Sequence, residues 1–322
     1  MKQAQFEALH QDEWRALEER LAMLEKTRAA SPQAAGFAAA YRRLCQQLAL
    51  AESRAYSVSL VERLQQLNLR AHQQLYRPRQ HLGARLLTLV FAGFPRQVRA
   101  AWRSILLASL LFYGSLLGMG LLVYLFPDLI YSLLSPQQVA GMERMYDPDA
   151  SRLGPYAGRA SSDDWMMFGY YIMNNIGIAF QTFASGLLLG VGSLFFLLSN
   201  GLNIGAIAGH LLRIGYDETF LSFVIGHGAF ELTAITFAGA AGLQLGGALL
   251  MPGPRSRRVA LHAAAKDCVG LLAGIIGLLL IAAFIEAYWS SITRFTPGVK
   301  YAVGAALWLL VAAYFLLGGR RR

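Results

Sequence analysis

Charge is the first thing this chain is short of. Only 15% of its 322 residues are charged, where a soluble protein of this length carries about 25%. Cysteine is nearly absent too. Cys45 and Cys268 stand far apart without disulfide or metal-ligand spacing, which excludes a disulfide framework and a cysteine metal centre. No G-x-S-x-G, no P-loop and no paired-acid constellation of a catalytic kind occur in the polar part, so the expectation is a protein that is not an enzyme. The start, "MKQAQFEALHQDEWRALEERLAMLEKT", is polar and amphipathic, so no secretory signal peptide is expected. Acidic residues are the minority, 19 against 29 Lys+Arg, for a net charge of +10.

What the chain has instead is apolar sequence, 55% of the whole, gathered into runs. Runs of about 20 apolar residues are long enough to cross a bilayer, so the chain reads as a multi-span membrane protein. Residues 1–80 are the exception and read as a soluble three-helix domain. Phe6, Leu9, Trp14, Leu17, Leu21 and Leu24 recur at helical steps, and "SPQAAG" breaks the pattern. A second helix is expected over Gln33–Ala51 and a third over Val58–Tyr76, ended by Pro78. Residues 1–103 carry 16 Lys+Arg against 8 Asp+Glu, a net of +8. Residues 81–103, "HLGARLLTLVFAGFPRQVRAAWR", read as an interfacial amphipathic helix and basic elbow on anionic lipid headgroups. The adjoining span makes the lipid bilayer, not nucleic acid, the expected partner of that basic patch.

The transmembrane domain, residues 104–322, opens with a span over Ser104–Phe126. A polar segment, 127–167, follows with a net of −3, from 3 basic and 6 acidic residues. The next apolar run, Phe168–Leu198, is longer than one perpendicular helix needs and is expected to be tilted, kinked or partly exposed. A short glycine-rich segment, Leu202–Gly215, comes next, then spans over Phe220–Leu250, Cys268–Trp289 and Val299–Leu317. That makes five full-length spans plus one short or re-entrant segment. The basic regions are the N-terminal domain, the 251–267 loop and the Arg320–Arg322 tail. Keeping all three inside requires six crossings, with N- and C-terminus cytoplasmic. Glycine pairs at four-residue spacing (Gly114/Gly118, Gly186/Gly190, Gly201/Gly205/Gly209, Gly242/Gly246, Gly270/Gly274) predict close helix packing. Their faces allow a homodimer without requiring one.

Polar residues inside these runs are few. Asn174, Asn175 and Gln181 lie in the second run, Asn200, Asn203 and His210 in or near the short segment, and His227, Glu231 and Gln244 on the next helix. Glu286, followed by Tyr288 and Trp289, reads as an interfacial residue without chemistry. His227 and Glu231, four apart, share one helix face. A carboxylate at membrane depth needs a partner, a proton or water. Gly226 and Gly228 suggest a loosened or broken helix there. The pair therefore has three readings: a structural hydrogen bond to Asn174, Asn175, Asn200 or Asn203; a proton-coupled, ion or ligand site; or a metal site. The last fails on ligand count, since His210 is the one extra candidate and zinc usually takes three or four. No metal and no cofactor are expected. The predicted polar centre is Asn174, Asn175, Gln181, Asn200, Asn203, His227 and Glu231, ligand-binding or structural, and no catalytic residue is assigned.

Two stretches resemble a known family. "NNIGIAFQTFASGLLLGVGSLFFLLSNGLNIGAIAG" and "HGAFELTAITFAGAAGLQLGGALLMPG" are similar to the stage II sporulation protein M (SpoIIM-like) family. The polar region resembles its longer, non-sporulating bacterial members through Trp14 and Leu17, "YRRLCQQLALA", "AHQQLY" and "FPRQVRAAW". The resemblance carries Asn174, Asn175, Asn200, Gly201, His227, Gly228 and Glu231, with no catalytic role. It implies an integral membrane component of a cell-envelope assembly in the bacterial inner membrane, with MoxR-like ATPase and von Willebrand factor A-like proteins as expected partners. The N-terminal helical domain, which the sporulation form lacks, speaks against a sporulation role. The chain is thus expected to be an all-α polytopic membrane bundle with an N-terminal cytosolic helical domain. Its expected role is a non-enzymatic scaffold; the rival is a transporter or channel with its site at His227 and Glu231.

Overall fold

The computed structural model describes residues 1–26, 34–75, 82–150, 153–154 and 163–320. Ser31-Pro32-Gln33 of the expected first break, Pro78, most of 151–162, and Arg321 and Arg322 lie outside them. The chain divides into two compact units, Met1–Arg85 and Leu86–Arg322.

The first unit is three helices, α1 (Gln3–Lys26), α2 (Ala34–Ser53) and α3 (Val58–Leu75). Each contributes one apolar stripe to a common core: Phe6, Trp14, Leu17 and Leu21 from α1, Phe37, Leu44 and Ala51 from α2, Leu60, Leu64, Leu67 and Ala71 from α3. Steps of three, four, seven and eight keep these residues on one face. Leu9 falls off that face and stays exposed. The Trp14 indole N–H donates to Gln47 Oε1 at 2.8 Å, and Gln47 Nε2 donates to Glu13 Oε2 at 2.8 Å. The large buried ring thereby keeps its polar handle satisfied. Ion pairs Arg63–Glu18 and Arg70–Glu25 join α3 to α1 along the surface. The Arg70 guanidinium bonded to Glu25 holds that carboxyl below its ordinary range; exposed pairs of this kind contribute at most about 1 kcal/mol.

The second unit begins at a bend. Helix α4 (Leu82–Thr88) widens into a π-helical turn, Leu89–Gly93, and then α5 (Phe94–Ala100). Leu86, Leu87, Val90 and Phe91 are exposed, but α5 is not simply laid on a surface. Phe94 is 3% exposed, its ring filling the space where Gly274 has no Cβ, while Gln97 sits over Gly270 and Pro95 beside Gly318. The Arg99 guanidinium donates to Phe315 O at 2.7 Å, answering one of the carbonyls a helix end leaves open. Of the three arginines after Pro95, Arg96 and Arg103 are exposed and Arg99 is half-buried. The expected headgroup elbow is therefore in part a wedge between helices.

Six long helices follow: α6 (Trp102–Leu125), α8 (Asp164–Ala184), α9 (Val191–Arg213), α10 (Asp217–Leu250), α11 (Arg257–Ile285, continued as a π-helix over Glu286–Ser290) and α12 (Pro297–Leu317). Five of them, α6, α9, α10, α11 and α12, are long and apolar enough to cross a membrane, and the all-α membrane architecture stands. The partition of the second run changes. Phe168–Leu198 is not one tilted helix. It ends at a 3-10 turn, Ser185–Leu187, and reverses through Leu189 (φ 53°) and Gly190 (φ 84°), both left-handed. The presumed short segment 202–215 is mostly the second half of α9, which has 23 residues. At 1.5 Å per residue that helix is about 35 Å long, enough for a full crossing. The less apolar member of the six is α8, where Asn174, Asn175 and Gln181 fall.

α10 packs on all the other five. Its most apolar window is 67% buried, against 11% for α6 and 17% for α12, so α10 is the hub and the outer helices turn leucines outward as lipid requires. Glycines make the closest seams. Gly201, Gly205 and Gly209 of α9 lie against the α6 backbone at Phe112, Leu116 and Gly120; Gly186 and Gly190 lie against Gly242 and Gly246 of α10. Gly114 and Gly118 do not belong to a seam, since a Cβ at either meets open space. The polar segment is also folded over 127–150. A 3-10 turn, Pro127–Ser132, leads to α7 (Pro136–Met145), whose Ser135 and Gln138 form a capping box. Glu143 meets His210 of α9 at 2.8 Å, so His210 is held by the loop and not by the polar centre.

Candidate functional site

The seven polar residues expected to meet at the bundle centre do not all meet. Gln181 is exposed. Asn200 Nδ2 donates to Phe196 O at 2.7 Å and Asn203 Nδ2 to Ser199 O at 2.8 Å. Both amides are thus spent on their own helix, one turn back. Asn174 Nδ2 donates to Asn175 Oδ1 at 2.9 Å. Of the asparagines only Asn175, 2% exposed, lies beside Glu231.

His227 and Glu231 do face one direction from α10; Glu231 is bonded by the side chain of Asn175, one of the nominated asparagines, while His227 finds a partner that the sequence did not nominate. His227, 5% exposed, shares a hydrogen bond between Nδ1 and Ser290 Oγ at 3.0 Å, replacing the expected asparagine partners. A ring nitrogen of His227 and carboxylate oxygens of Glu231 and Glu286 lie within 4.8 Å of one another. Glu286 is 9% exposed, so it joins this cluster, a place that the sequence reading did not give it. In the π-helical turn over Glu286–Ser290 both Glu286 and Ser290 are buried. π-turns inside α-helices recur at functional sites. The irregular helix is therefore α11. α10 runs unbroken through Gly226-His227-Gly228, and Gly226 instead makes room for Ile285 and Trp289.

Two further groups complete the centre. Lys300, in the first turn of α12 and 2% exposed, donates from Nζ to Ser290 O at 2.8 Å. Its signal in sequence is a lone lysine just inside an apolar span. Tyr146, from the loop, packs edge-on against Phe220 and Phe223, and Phe223 in turn meets the His227 ring edge-on at 5.2 Å. Burial first, and then Glu286, Tyr171 and Glu231, push the Tyr146 phenol well above its ordinary range. Thr219 Oγ1 donates to Tyr146 O at 2.6 Å, and Leu153 N to Ser291 O at 3.4 Å. The loop thus covers the polar centre at the end where α10, α11 and α12 converge. Chemically this is an imidazole, two carboxylates, an ammonium and an amide in a closed apolar bundle. It can exchange protons or hold a cation.

The residues that converge fall inside the stretch that compares with known proteins. The family described as stage II sporulation protein M matches residues 101–291, which takes in Asn175, His227, Glu231, Glu286 and Ser290 but not Lys300. A second family, described as a domain of unknown function (DUF8413), matches residues 4–77, the three-helix unit. No curated protein and no solved structure matches significantly. With more than half its length matched, and its helices long and apolar, the chain belongs to the stage II sporulation protein M family of membrane proteins.

Proposed function

We propose that the protein is a non-enzymatic scaffold of a bacterial inner-membrane, cell-envelope assembly. The observation that carries this reading is how its membrane polar groups are used. Asn200 and Asn203 are tied to their own helix, and His227, Lys300 and Ser290 tie α10, α11 and α12 to one another. Interhelical bonds of this kind stabilise a bundle by roughly 1 kcal/mol each. Groups spent on holding helices are not arrayed along a path. The expected break in α10, the pattern that favours a substrate site, gives way to a continuous helix. The compact Met1–Arg85 unit then supplies the surface for partners, for which the family resemblance suggests MoxR-like ATPases and von Willebrand factor A-like proteins.

One observation favours transport as a second reading: three titratable side chains converge within 4.8 Å. Proteoliposomes separate the two. Under scaffolding, wild type moves neither protons nor small ions above empty vesicles, and Glu231→Gln and His227→Ala lower stability or partner capture alone. A flux in wild type that either variant abolishes would replace the scaffold with a transporter.

We infer that all six helices cross, which puts both termini on one side, and that the positive-inside rule makes that side the cytoplasm. Native thiols test this poorly, because Cys268 is 1% exposed. Tyr131 and Met251, 54% and 80% exposed on opposite ends, serve better as cysteine positions. An impermeant thiol reagent added to intact cells (spheroplasts where an outer membrane is present) is expected to label Tyr131→Cys and to reach Met251→Cys only after lysis. The reverse pattern inverts the topology.

A further inference from the structure

We propose that His227, Glu231 and Glu286 bind a divalent transition-metal cation, clamping α10 to the π-helical end of α11, with Asn175 of α8 holding the Glu231 carboxylate in place. Ligand count excluded a metal at the level of sequence, because only His210 stood near the pair. The fold removes His210 to Glu143 and delivers Glu286 in its place. One nitrogen and two carboxylate oxygens within 4.8 Å of one another form a donor set that suits zinc or manganese. Around a bound ion at about 2.1 Å from each ligand, donor atoms stand roughly 3–3.5 Å apart, so the side chains close by about an ångström. Carboxylates have two oxygens each, and one is enough for the ion while the other keeps its present contacts.

Two features outside the three ligands point the same way. Metal-bound imidazoles almost always engage their second ring nitrogen with a fixed partner, which sets tautomer and orientation. His227 Nδ1 is held by Ser290 Oγ at 3.0 Å, leaving Nε2 as the ligating atom. The second feature is Asn175, 98% buried, whose side chain bonds to the Glu231 carboxylate and holds it from α8. Carboxylates that ligate a metal are in turn hydrogen-bonded in this way.

Charge agrees as well. Two carboxylates and a neutral imidazole in an apolar bundle need compensation. Lys300 offsets part of it from beyond Ser290, where its ammonium is committed to a backbone carbonyl. The imidazole disfavours the hard ions calcium and magnesium, which prefer all-oxygen cages. The inference stands apart from the choice between scaffold and transporter, since a clamped ion is compatible with either.

The test is metal loading of full-length protein in detergent after chelation. Zn²⁺ or Mn²⁺ is expected to bind at one ion per chain and raise the thermal midpoint, with Mg²⁺ and Ca²⁺ binding at least tenfold more weakly. His227→Ala and Glu231→Gln lose that ion, and Ser290→Ala weakens it by about tenfold, as changes to a ligand's orienting partner do. Pulsed EPR of Mn²⁺-loaded wild type, which depends on no variant folding, is expected to report one imidazole nitrogen on the metal. An ion retained equally by His227→Ala is an adventitious surface ion only and overturns the proposal. So does wild type that binds nothing, or an EPR spectrum without nitrogen coupling.

Discussion

Gly205→Leu is expected to destroy the membrane unit's packing, while Gly114→Leu, on the facing helix nine residues before Val123, is expected to change little. A Cβ at Gly205 lands on the carbonyl of Leu116 and comes within 2.9 Å of its carbon and 3.0 Å of its Cα. These are backbone atoms, so no rotamer change relieves the contact. The helices must separate, and Gly201 and Gly209, pressed on the same α6 backbone one turn to either side, separate with them. Overpacking in a core that can adjust costs about 1–3 kcal/mol. Here the contact is shared along three turns, and the loss is expected at or above the top of that range. Small residues are what allow close approach in lipid, where no hydrophobic force pulls helices together. The measurement is the monodisperse fraction after detergent extraction, together with the thermal midpoint. Equal behaviour of the two variants would refute the α6–α9 seam.

Those two positions also show where sequence reading reached its limit. Glycine at four-residue spacing marks both Gly114/Gly118 and Gly201/Gly205/Gly209, yet only the second set lies at an interface. Spacing tells which residues share a face and leaves open which face meets a neighbour. Apolar length identified the spans where composition is uniform, as in α12, whose observed bounds, Pro297–Leu317, differ from the expected ones by two residues at the start. It failed where one apolar run holds a reversal. Nothing in "FASGLLLGVGS" is polar enough to signal a turn, because the reversal is made by a 3-10 turn and left-handed Leu189 and Gly190, with Gly186 fitted against Gly242.

The site divides along similar lines. His227 and Glu231 were legible because a four-residue step on one helix fixes their relation. Glu286, Ser290 and Lys300 come from other helices, and Glu286 and Ser290 are buried in a π-helical turn. A local change in helical period is not written in hydropathy. Asn200 and Asn203 look like site residues for the opposite reason. An asparagine in an apolar helix looks unpaired in sequence, but its amide can return to a carbonyl four residues back, and both do so here.

Trp14→Ala is expected to unfold the Met1–Arg85 unit and leave Leu86–Arg322 in place. Trp14 is 1% exposed and packs its ring 5.8 Å from Phe6, with the Arg63 guanidinium over the other side at 5.8 Å. Truncating a buried Trp costs about 3–5 kcal/mol. The variant also strips Gln47 Oε1 of the donor it accepts from at 2.8 Å, and Gln47 is itself 8% exposed. A unit of this size has on the order of 4–13 kcal/mol to lose, so the change consumes much of its stability. Because the unit keeps its own core, limited proteolysis in membranes is expected to degrade residues 1–85 in the variant while the remainder survives with its thermal midpoint intact. Under the scaffold reading, capture of envelope partners from native membranes falls with it. Partner capture that persists at wild-type level after the three-helix unit has been digested would move the docking surface to the membrane unit and its covering loop.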